Sequence, residues 1–183
     1  LELPGVQEEL LKEIKKTGKP MIVVLIAGKP LAMPWVKENA DAVLVQWYAG
    51  EQQGRPLADI LLGKVNPSGR LTDTYVYNLE SNPAVSNTGD FQYKNKDGSP
   101  AGRYFANYNE GIYVGYRYYE TFVSDNDYGK IVQYPFGYGL SYTSFTWDVV
   151  NTSATEREIV AKVRVTNTGK AAGRDVVQLY YDA

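Results

Sequence analysis

The sequence contains no cysteine and no histidine among its 183 residues. Without cysteine there is no disulfide, no thiolate nucleophile and no cysteine-ligated zinc site. Without histidine a Ser-His-Asp triad and an imidazole metal site are both excluded. Acid–base chemistry in this chain is therefore left to carboxylates, tyrosine and lysine.

The chain also lacks a strong charge of either sign and a long apolar run. It has 19 Lys and Arg against 21 Asp and Glu, a formal net charge of −2. Such a balance predicts neither a nucleic acid nor an anionic membrane as a partner, and no run approaches the roughly 20 residues of a membrane helix. The start at Leu1 has no signal-like segment, so we expect a processed terminus or a piece of a longer protein. The absence of cysteine is compatible with a bacterial cytoplasm or periplasm.

Tyrosine is abundant where phenylalanine is scarce, with 16 Tyr and 5 Phe. Tyrosine-rich surfaces suit sugars, because the ring covers C–H faces while the hydroxyl group forms hydrogen bonds. The alternative is ordinary β-rich structure, in which tyrosine is also favoured. Composition leaves both interpretations open.

Residues 1–65 show alternating helical and strand patterns. Apolar residues at 6, 10, 11 and 14 predict a helix, and the apolar run 21–27 predicts a buried parallel strand. A short helix from Pro34 to Asn39, a second strand over 41–47 and a helix over 54–62 follow. This order predicts an α/β fold with a parallel sheet.

The next 80 residues are less regular. Alternation over 71–77 predicts a strand, and residues 78–109 read as a long polar loop. The aromatic block 113–119 alternates like a strand, which would place Tyr116 and Tyr118 on one face and Arg117 and Tyr119 on the other.

From Trp147 onward the pattern is that of β-structure. Alternation at 159–165 and again at 177–181 predicts the first strands of a β-sandwich. Two or three strands cannot close a sandwich and would leave open edges. We therefore expect the polypeptide to continue beyond Ala183.

Several segments together resemble the C-terminal half of glycoside hydrolase family 3, the β-glucosidase and β-xylosidase group. They occur in the same order as in the family and cover nearly the whole chain: Ile22–Pro30, Trp47–Gly54, Leu57–Gly63, Val65–Leu71, Glu110–Tyr119, Pro135–Tyr142, Val165–Gly169 and Val176–Tyr180.

This resemblance implies a three-part retaining glycosidase. A TIM-like barrel would carry an Asp nucleophile, an α/β sandwich domain a Glu acid/base, and a fibronectin type III-like domain would follow. Residues 1–145 would be the later part of the α/β sandwich, and residues 146–183 the truncated start of the fibronectin-like domain. The implied substrate is a β-glycoside or oligosaccharide, and the implied chemistry needs no metal and no cofactor. The barrel would lie on the same or an associated chain.

Two departures from the family pattern bear on catalysis. The Ser-Asp-Trp-type nucleophile motif does not occur, and the only acids upstream of strand 21–27 are Glu2, Glu8, Glu9 and Glu13, none in a Gly-Glu-Gly-like loop. Both catalytic carboxylates are therefore expected outside this chain. The stretch Leu71–Tyr75 resembles a bacterial subgroup of permuted domain order, in which the barrel follows the fibronectin-like part.

Within the chain, Glu110 is the one catalytic candidate, since it follows the long loop and precedes the aromatic block. Its alternative role is to fix that junction by bonding backbone or Arg117. Asp59 and Asp73 are interpreted as structural, and Glu51 as a helix cap.

Trp47 and Tyr48 are the candidate substrate-binding residues, because ligands border the carboxyl ends of parallel strands. Packing against the barrel is the alternative for both. The Tyr113–Tyr119 block is either a sugar platform or internal Tyr–Arg stacking. For the whole chain, the alternative to a glycosidase part is a non-catalytic carbohydrate-binding or scaffold module.

Overall fold

The computed structural model describes residues 2–87 and 91–181. Contacts divide the chain into two units, one of Leu1–Tyr48 with Leu71–Gly137 and one of Ala49–Arg70 with Tyr138–Ala183. In chain order the elements are α1 (Gln7–Lys15), β1 (Ile22–Leu25), α2 (Pro34–Asn39), β2 (Ala42–Val45), α3 (Gly54–Leu61), β3 (Tyr75–Val76), a 3₁₀ helix (Leu79–Ser81), α4 (Pro83–Asn87), β4 (Gln92–Lys94), β5 (Pro100–Tyr104), α5 (Tyr116–Phe122), α6 (Asp125–Ile131), β6 (Val132–Tyr134), β7 (Phe145–Ala154) and β8 (Ile159–Asn167).

The first unit contains the predicted parallel pair. β1 and β2 pair in parallel from Ile22 opposite Ala42 to Leu25 opposite Val45, with α2 in the crossover. The apolar stretch around β1 packs into the main core, and Pro34 opens α2 at its first turn, where a missing N–H costs nothing. The sequence interpretation of residues 1–45 as α/β is confirmed.

The strand predicted over 71–77 is only two residues long. β3 pairs antiparallel with β6, and the register shifts between Tyr75 and Val76, so the pairing is irregular. Residues on either side bond outside the assigned strand: Tyr77 N–H donates to Ile131 O at 3.0 Å, and Gly137 N–H donates to Leu71 O at 2.8 Å.

The sequence suggested that the polar stretch 78–109 is a long loop, but the structure contains regular elements there. It holds the 3₁₀ helix, α4 and the β4–β5 hairpin. Short polar side chains stabilise these elements locally: Asn78 Oδ1 caps the 3₁₀ helix by accepting from Glu80 N–H, and Asp97 accepts from Ser99 in the hairpin turn. Polar composition therefore marks caps and turns here.

The aromatic block predicted as a strand forms the helix α5. Gly115 has φ +60°, a backbone conformation that favours glycine, and its carbonyl accepts from Tyr118 N–H at 3.1 Å. Tyr119 then faces the core at 1% exposure, while the Tyr116 ring stacks on Phe136 at 4.7 Å. Arg117 lies 5.5 Å from the Tyr116 ring, so Tyr–Arg stacking within the unit is present. Tyr116 and Tyr118 do not share a strand face.

The second unit combines α3 with the long hairpin of β7 and β8. These strands pair antiparallel from Phe145 opposite Asn167 to Ala154 opposite Ile159, with a bulge near Val149. The strand predicted over 177–181 is absent from the described residues, which show no ladder there. Side chains fix the preceding segment instead: Asp175 accepts from Arg70 at 2.6 Å and from Trp147 Nε1 at 2.9 Å. Alternation alone does not make a strand without a backbone partner.

Two apolar clusters form the core of the first unit. The larger contains Met21, Val23, Leu25, Leu31, Met33, Val36 and Tyr75, and the smaller Val76, Tyr119 and Val132. Gln133 is buried between elements, where its Oε1 accepts from Met33 N–H at 3.2 Å. In the part of the chain that the structure describes, no helix is long and apolar enough to span a membrane.

Candidate functional site: the carboxyl edge of the parallel strands

The segments that follow β1 and β2 leave the sheet at the same edge. Parallel strands end on one side, and in open α/β sheets this side borders the ligand crevice. Gly28 and Lys29 follow β1, while Trp47 and Tyr48 follow β2. Within the first unit, this edge is therefore the candidate position for a binding site.

Trp47 turns the chain at this edge in a strained conformation. Its φ is +55°, in the left-handed region, and it is the only non-glycine residue with positive φ among those described. For a bulky residue this costs about 1–3 kcal/mol, and such strain concentrates at functional sites. The side chain is half-buried.

Tyr48 lies across the backbone of Gly28. A Cβ on residue 28 would come within 2.6 Å of Tyr48 Cε2, so the ring occupies the space that a side chain would need. Tyr48 is nevertheless 75% exposed. The structure thus places an accessible aromatic ring at the edge, as expected. Whether Trp47 and Tyr48 contact sugar or another domain stays a prediction.

A small cavity of about 180 Å³ opens beside the same loop. Its polar walls come from Lys29, Asp73, Thr74 and Asn82, with the buried Tyr119. Its remaining lining residues are Pro30, Leu31, Ala32, Val76, Leu79 and Gly115. The loop after β1, the β3 strand, the 3₁₀ helix and α5 therefore meet around one space.

Three hydroxyl-bearing side chains of this region are buried, which affects their hydrogen bonding and their pKa values. Thr74 is 9% exposed, and its Oγ1 has no hydrogen-bond partner among the described residues. Burial, followed by the nearby charge of Asp73, raises the pKa of Tyr75. Burial likewise raises the pKa of Tyr119, against a smaller opposing effect of the Ser81 hydroxyl. Both tyrosines stay protonated at neutral pH.

Of the sequence candidates, Asp73 reaches the cavity but Glu110 binds elsewhere in the same unit. Glu110 Oε2 accepts a hydrogen bond from Asn87 Nδ2, and Asn87 Oδ1 accepts from Asn109 Nδ2 at 3.3 Å. The expected partner was backbone or Arg117, so the junction is fixed by a different residue, the last of α4. A catalytic role for Glu110 stays a prediction.

Glu51 and Asp59 belong to the second unit. Asp59 lies between Arg55 and Lys64, each 3.9 Å away, and its carbonyl accepts from Lys64 N–H at 2.8 Å, which closes the end of α3. Glu51 is exposed in the turn before α3, whose N-cap position is Gln53. These surroundings favour a structural role for Asp59, whereas the prediction that Glu51 caps α3 is wrong, because the N-cap residue is Gln53.

The sequence did not single out three of the cavity's polar residues, Lys29, Thr74 and Asn82, and it named Tyr119 only as part of the aromatic block. A signal existed for Lys29, which lies in the loop that follows β1 at its carboxyl end. Thr74, Asn82 and Tyr119 come from segments 40 or more residues away in sequence, and only the tertiary fold brings them there.

The arrangement sets limits on chemistry. Retaining glycoside hydrolysis needs two carboxyl groups about 5–5.5 Å apart, whereas Asp73 is the single carboxylate lining the cavity among the residues described. The described residues also contain no group of three or more acids suited to a metal ion. The cavity can bind polar groups, but it does not supply a carboxylate pair.

Comparison with known proteins identifies the class. The sequence profile of the glycosyl hydrolase family 3 C-terminal domain matches residues 1–116. The chain therefore belongs to glycosyl hydrolase family 3, as the motifs suggested.

Curated relatives are similar along nearly the whole chain. A β-glucosidase of Rhizobium radiobacter is 41% identical over 185 residues, covering 98% of this chain and 21% of the relative. A β-glucosidase of Bacteroides ovatus is 40% identical, covering 98% and 23%. The chain thus spans about a fifth of the length of these relatives.

Solved structures of β-glucosidases are also similar to this chain. The β-glucosidase of Kluyveromyces marxianus in complex with glucose superposes with a TM-score of 0.74 at 36% identity, over 92% of this chain and 18% of the other. β-Glucosidase 3B of Thermotoga neapolitana in complex with α-D-glucose gives 0.72 at 35% identity, over 92% and 22%.

Proposed function

We propose that this chain is part of a retaining β-glucosidase-like enzyme that hydrolyses terminal β-linked sugars. In this proposal the chain packs on a separate catalytic barrel and borders its active site. The observation that carries the proposal is the 41% identity to a β-glucosidase over 98% of this chain. Because the chain spans only a fifth of such relatives, catalysis is assigned to the longer protein.

The exposed apolar surface supports a packing role. Val6, at the N-cap of α1, and Leu10 and Ile14 within the helix lie at i, i+4 and i+8, and their exposed fractions are 69%, 59% and 43%. On β1 and just after it, Ile22 and Ile26 are 52% and 50% exposed. Contiguous apolar stripes of this kind mark interaction surfaces.

The β7–β8 hairpin supports a second contact of the same kind. Four apolar side chains of the hairpin have exposed fractions of 44–68%. Trp147, Val149 and Val150 lie on β7, and Val160 lies on β8. A two-stranded hairpin is marginal by itself, so further strands are needed to cover these residues. We assign residues 146–183 to the start of a fibronectin type III-like domain, and the permuted domain order suggested by Leu71–Tyr75 stays a prediction.

The absence of histidine and cysteine fits this mechanism. Double displacement at a sugar uses one carboxylate as nucleophile and one carboxylic acid with a raised pKa as acid/base. Neither role needs imidazole or thiol. The proposal places both carboxylates outside these 183 residues, and it gives Trp47 and Tyr48 the role of lining the approach of the sugar.

The test compares the 183-residue chain with the longer protein in which it is joined to a barrel. With an aryl β-glucoside as substrate, the longer protein should release the aryl alcohol and the chain alone should not. In the longer protein, Glu110→Gln should leave kcat within a few-fold, because the proposal places both catalytic carboxylates elsewhere. Loss of a true acid/base would lower kcat by about 10²–10⁴-fold. Glu156→Gln, in the turn between β7 and β8, is the matched control.

Two results would overturn the proposal. The first is turnover by the chain alone at the rate of the longer protein, abolished by Glu110→Gln. The second is a reading frame in which no barrel with an Asp nucleophile flanks this segment. The second result would favour the alternative, a carbohydrate-binding or scaffold module, which the 75% exposure of Tyr48 also suits.

A further inference from the structure

We propose that the segment after β8, residues 171–181, is a strap that a side-chain latch holds closed. The latch consists of the contacts among Arg70, Trp147 and Asp175. When the latch is broken, the strap should open while α3 and the β7–β8 hairpin stay folded. All of these residues belong to the second unit. The proposal therefore depends neither on the barrel nor on the reaction of the longer protein.

The strap is not held by a backbone ladder. β8 ends at Asn167, and residues 168–181 contain no helix or strand in the part of the chain that the structure describes. Val176, Leu179 and Tyr181 of the strap are 44%, 56% and 70% exposed. A segment with little buried apolar surface and no ladder is of the kind that opens before the rest of its unit. Its attachment therefore depends on side-chain contacts.

One carboxylate carries the latch. Asp175 Oδ1 accepts from Arg70 Nη2 at 2.6 Å, and Asp175 Oδ2 accepts from Trp147 Nε1 at 2.9 Å. The side chains of Arg70 and Asp175 are 15% and 11% exposed, so salt screens this pair less than an exposed one. Burial acts to raise the pKa of Asp175, but hydrogen bonds from Val176 N–H and the two latch donors outweigh it and lower the pKa. The carboxylate is therefore ionised at neutral pH, with both oxygens bound.

The turn after α3 supplies the fixed side of the latch. Asn66 Oδ1 accepts from Tyr142 N–H at 2.7 Å, which ties this turn to the segment before β7. Ser68 Oγ accepts from Arg174 N–H at 3.1 Å, a second contact between the turn and the strap. That contact is neutral and exposed, whereas the bond from Arg70 is charge-assisted and mostly buried, so it is the stronger of the two. The latch therefore decides whether the strap stays attached.

The experiment breaks the latch at either partner in the 183-residue chain and follows hydrogen exchange by NMR. Asp175→Asn removes the anion and keeps the shape, and Arg70→Met removes the cation. Either change should accelerate exchange of the Arg174 N–H and of the Trp147 indole N–H about 10- to 100-fold, the effect of one hydrogen bond to a charged group. The Arg174 N–H is the decisive reporter, because its acceptor, Ser68 Oγ, is not part of the latch.

The double variant tests whether the two partners act as one latch. Asp175→Asn combined with Arg70→Met should accelerate exchange of the Arg174 N–H no more than the larger single effect, since both changes remove the same interaction. Two effects that multiply would mean that the residues hold the strap separately, and would contradict the latch.

Matched controls separate opening of the strap from general destabilisation. Asp148→Asn on β7 and Arg157→Met in the turn between β7 and β8 change the same residue types at exposed positions of the same unit, and should leave exchange of the strap unchanged. In the latch variants, the ladder amides of β7 and β8 should exchange as in the unmodified chain. The proposal fails if these ladder amides are accelerated as much as the Arg174 N–H, or if neither latch variant accelerates the Arg174 N–H.

Discussion

At the scale of single residues, Asp41 joins three elements through one carboxylate. Its Oδ2 accepts from Met21 N–H at 2.8 Å and from Lys15 Nζ at 3.0 Å, and Met21 O accepts from Asp41 N–H at 2.9 Å. The end of α1 and the starts of β1 and β2 meet there. The Met21 N–H, and then the Lys15 ammonium, hold the pKa of Asp41 below its ordinary 3.8.

This lowered pKa predicts a pH-dependent contribution to stability. A carboxylate whose pKa is lower in the folded state stabilises the fold above its unfolded pKa, and the contribution disappears as pH falls through the folded pKa. Asp41→Asn should therefore unfold at lower urea than the unmodified chain at pH 7, and the difference should close below about pH 3.8. Lys15→Met should give a smaller difference. A gap that stays constant down to pH 2 would contradict this assignment.

Glu110 shows how far residue-scale prediction reaches. The sequence identified it as a carboxylate at a loop junction and offered backbone or Arg117 as its partner, whereas the structure gives it the side chain of Asn87. The Asn87 amide that binds it lies 23 residues earlier in the sequence. A polar side chain can pair with any donor that the fold brings near, so the partner could not be read from local spacing.

At the scale of elements, α1 is apolar on two sides. Leu11 is partly buried and packs against the main core, whereas Leu10 is 59% exposed on the uncovered stripe. Helical periodicity predicted the element and its apolar positions from 6 to 14. It could not tell which of two adjacent leucines faces the core, because the stripe spans both.

The two leucines give a matched test. Leu11→Ala should lower the free energy of unfolding by about 1–2 kcal/mol, below the range for fully buried leucines. Leu10→Ala should change it by less than about 0.5 kcal/mol, as at other exposed sites. Urea denaturation of the 183-residue chain measures both. Equal costs at the two positions would mean that the stripe is not exposed.

The aromatic block shows a failure of element prediction with an identifiable cause. Tyrosine favours strands and the block alternates over 113–119, but Gly115 permits the positive φ from which α5 starts. Once helical, Tyr119 reaches the core and Tyr116 reaches Phe136. Tertiary packing of rings outweighed a weak local preference.

At the scale of the whole molecule, both units carry uncovered apolar surface. β1 pairs only with β2 among the described residues, so its other edge presents unpaired backbone groups beside the exposed Ile22. In the other unit, Val149 is 68% exposed on β7. If these surfaces pack against the rest of a longer enzyme, they are exposed in the chain alone and should promote its association.

The 183-residue chain should therefore self-associate, with a sedimentation coefficient that rises with concentration. Ile22→Lys and Val149→Lys together should reduce that rise, since charges on exposed edges oppose pairing. Thr121→Lys adds the same charge away from these surfaces and should have little effect. If the unmodified chain sediments as a monomer at every concentration, the packing role in the proposed function loses its support.

The sequence by itself determined the family, the parallel α/β start, the strand over 159–165 and the lack of histidine and cysteine chemistry. These follow from motif order, periodicity and composition, which are local properties of the chain. Only the tertiary structure decided that residues 116–122 are helical, that Glu110 binds Asn87, and that Lys29, Asp73, Thr74 and Asn82 surround one cavity. The physical reason is that burial and hydrogen-bond pairing depend on segments far apart in sequence.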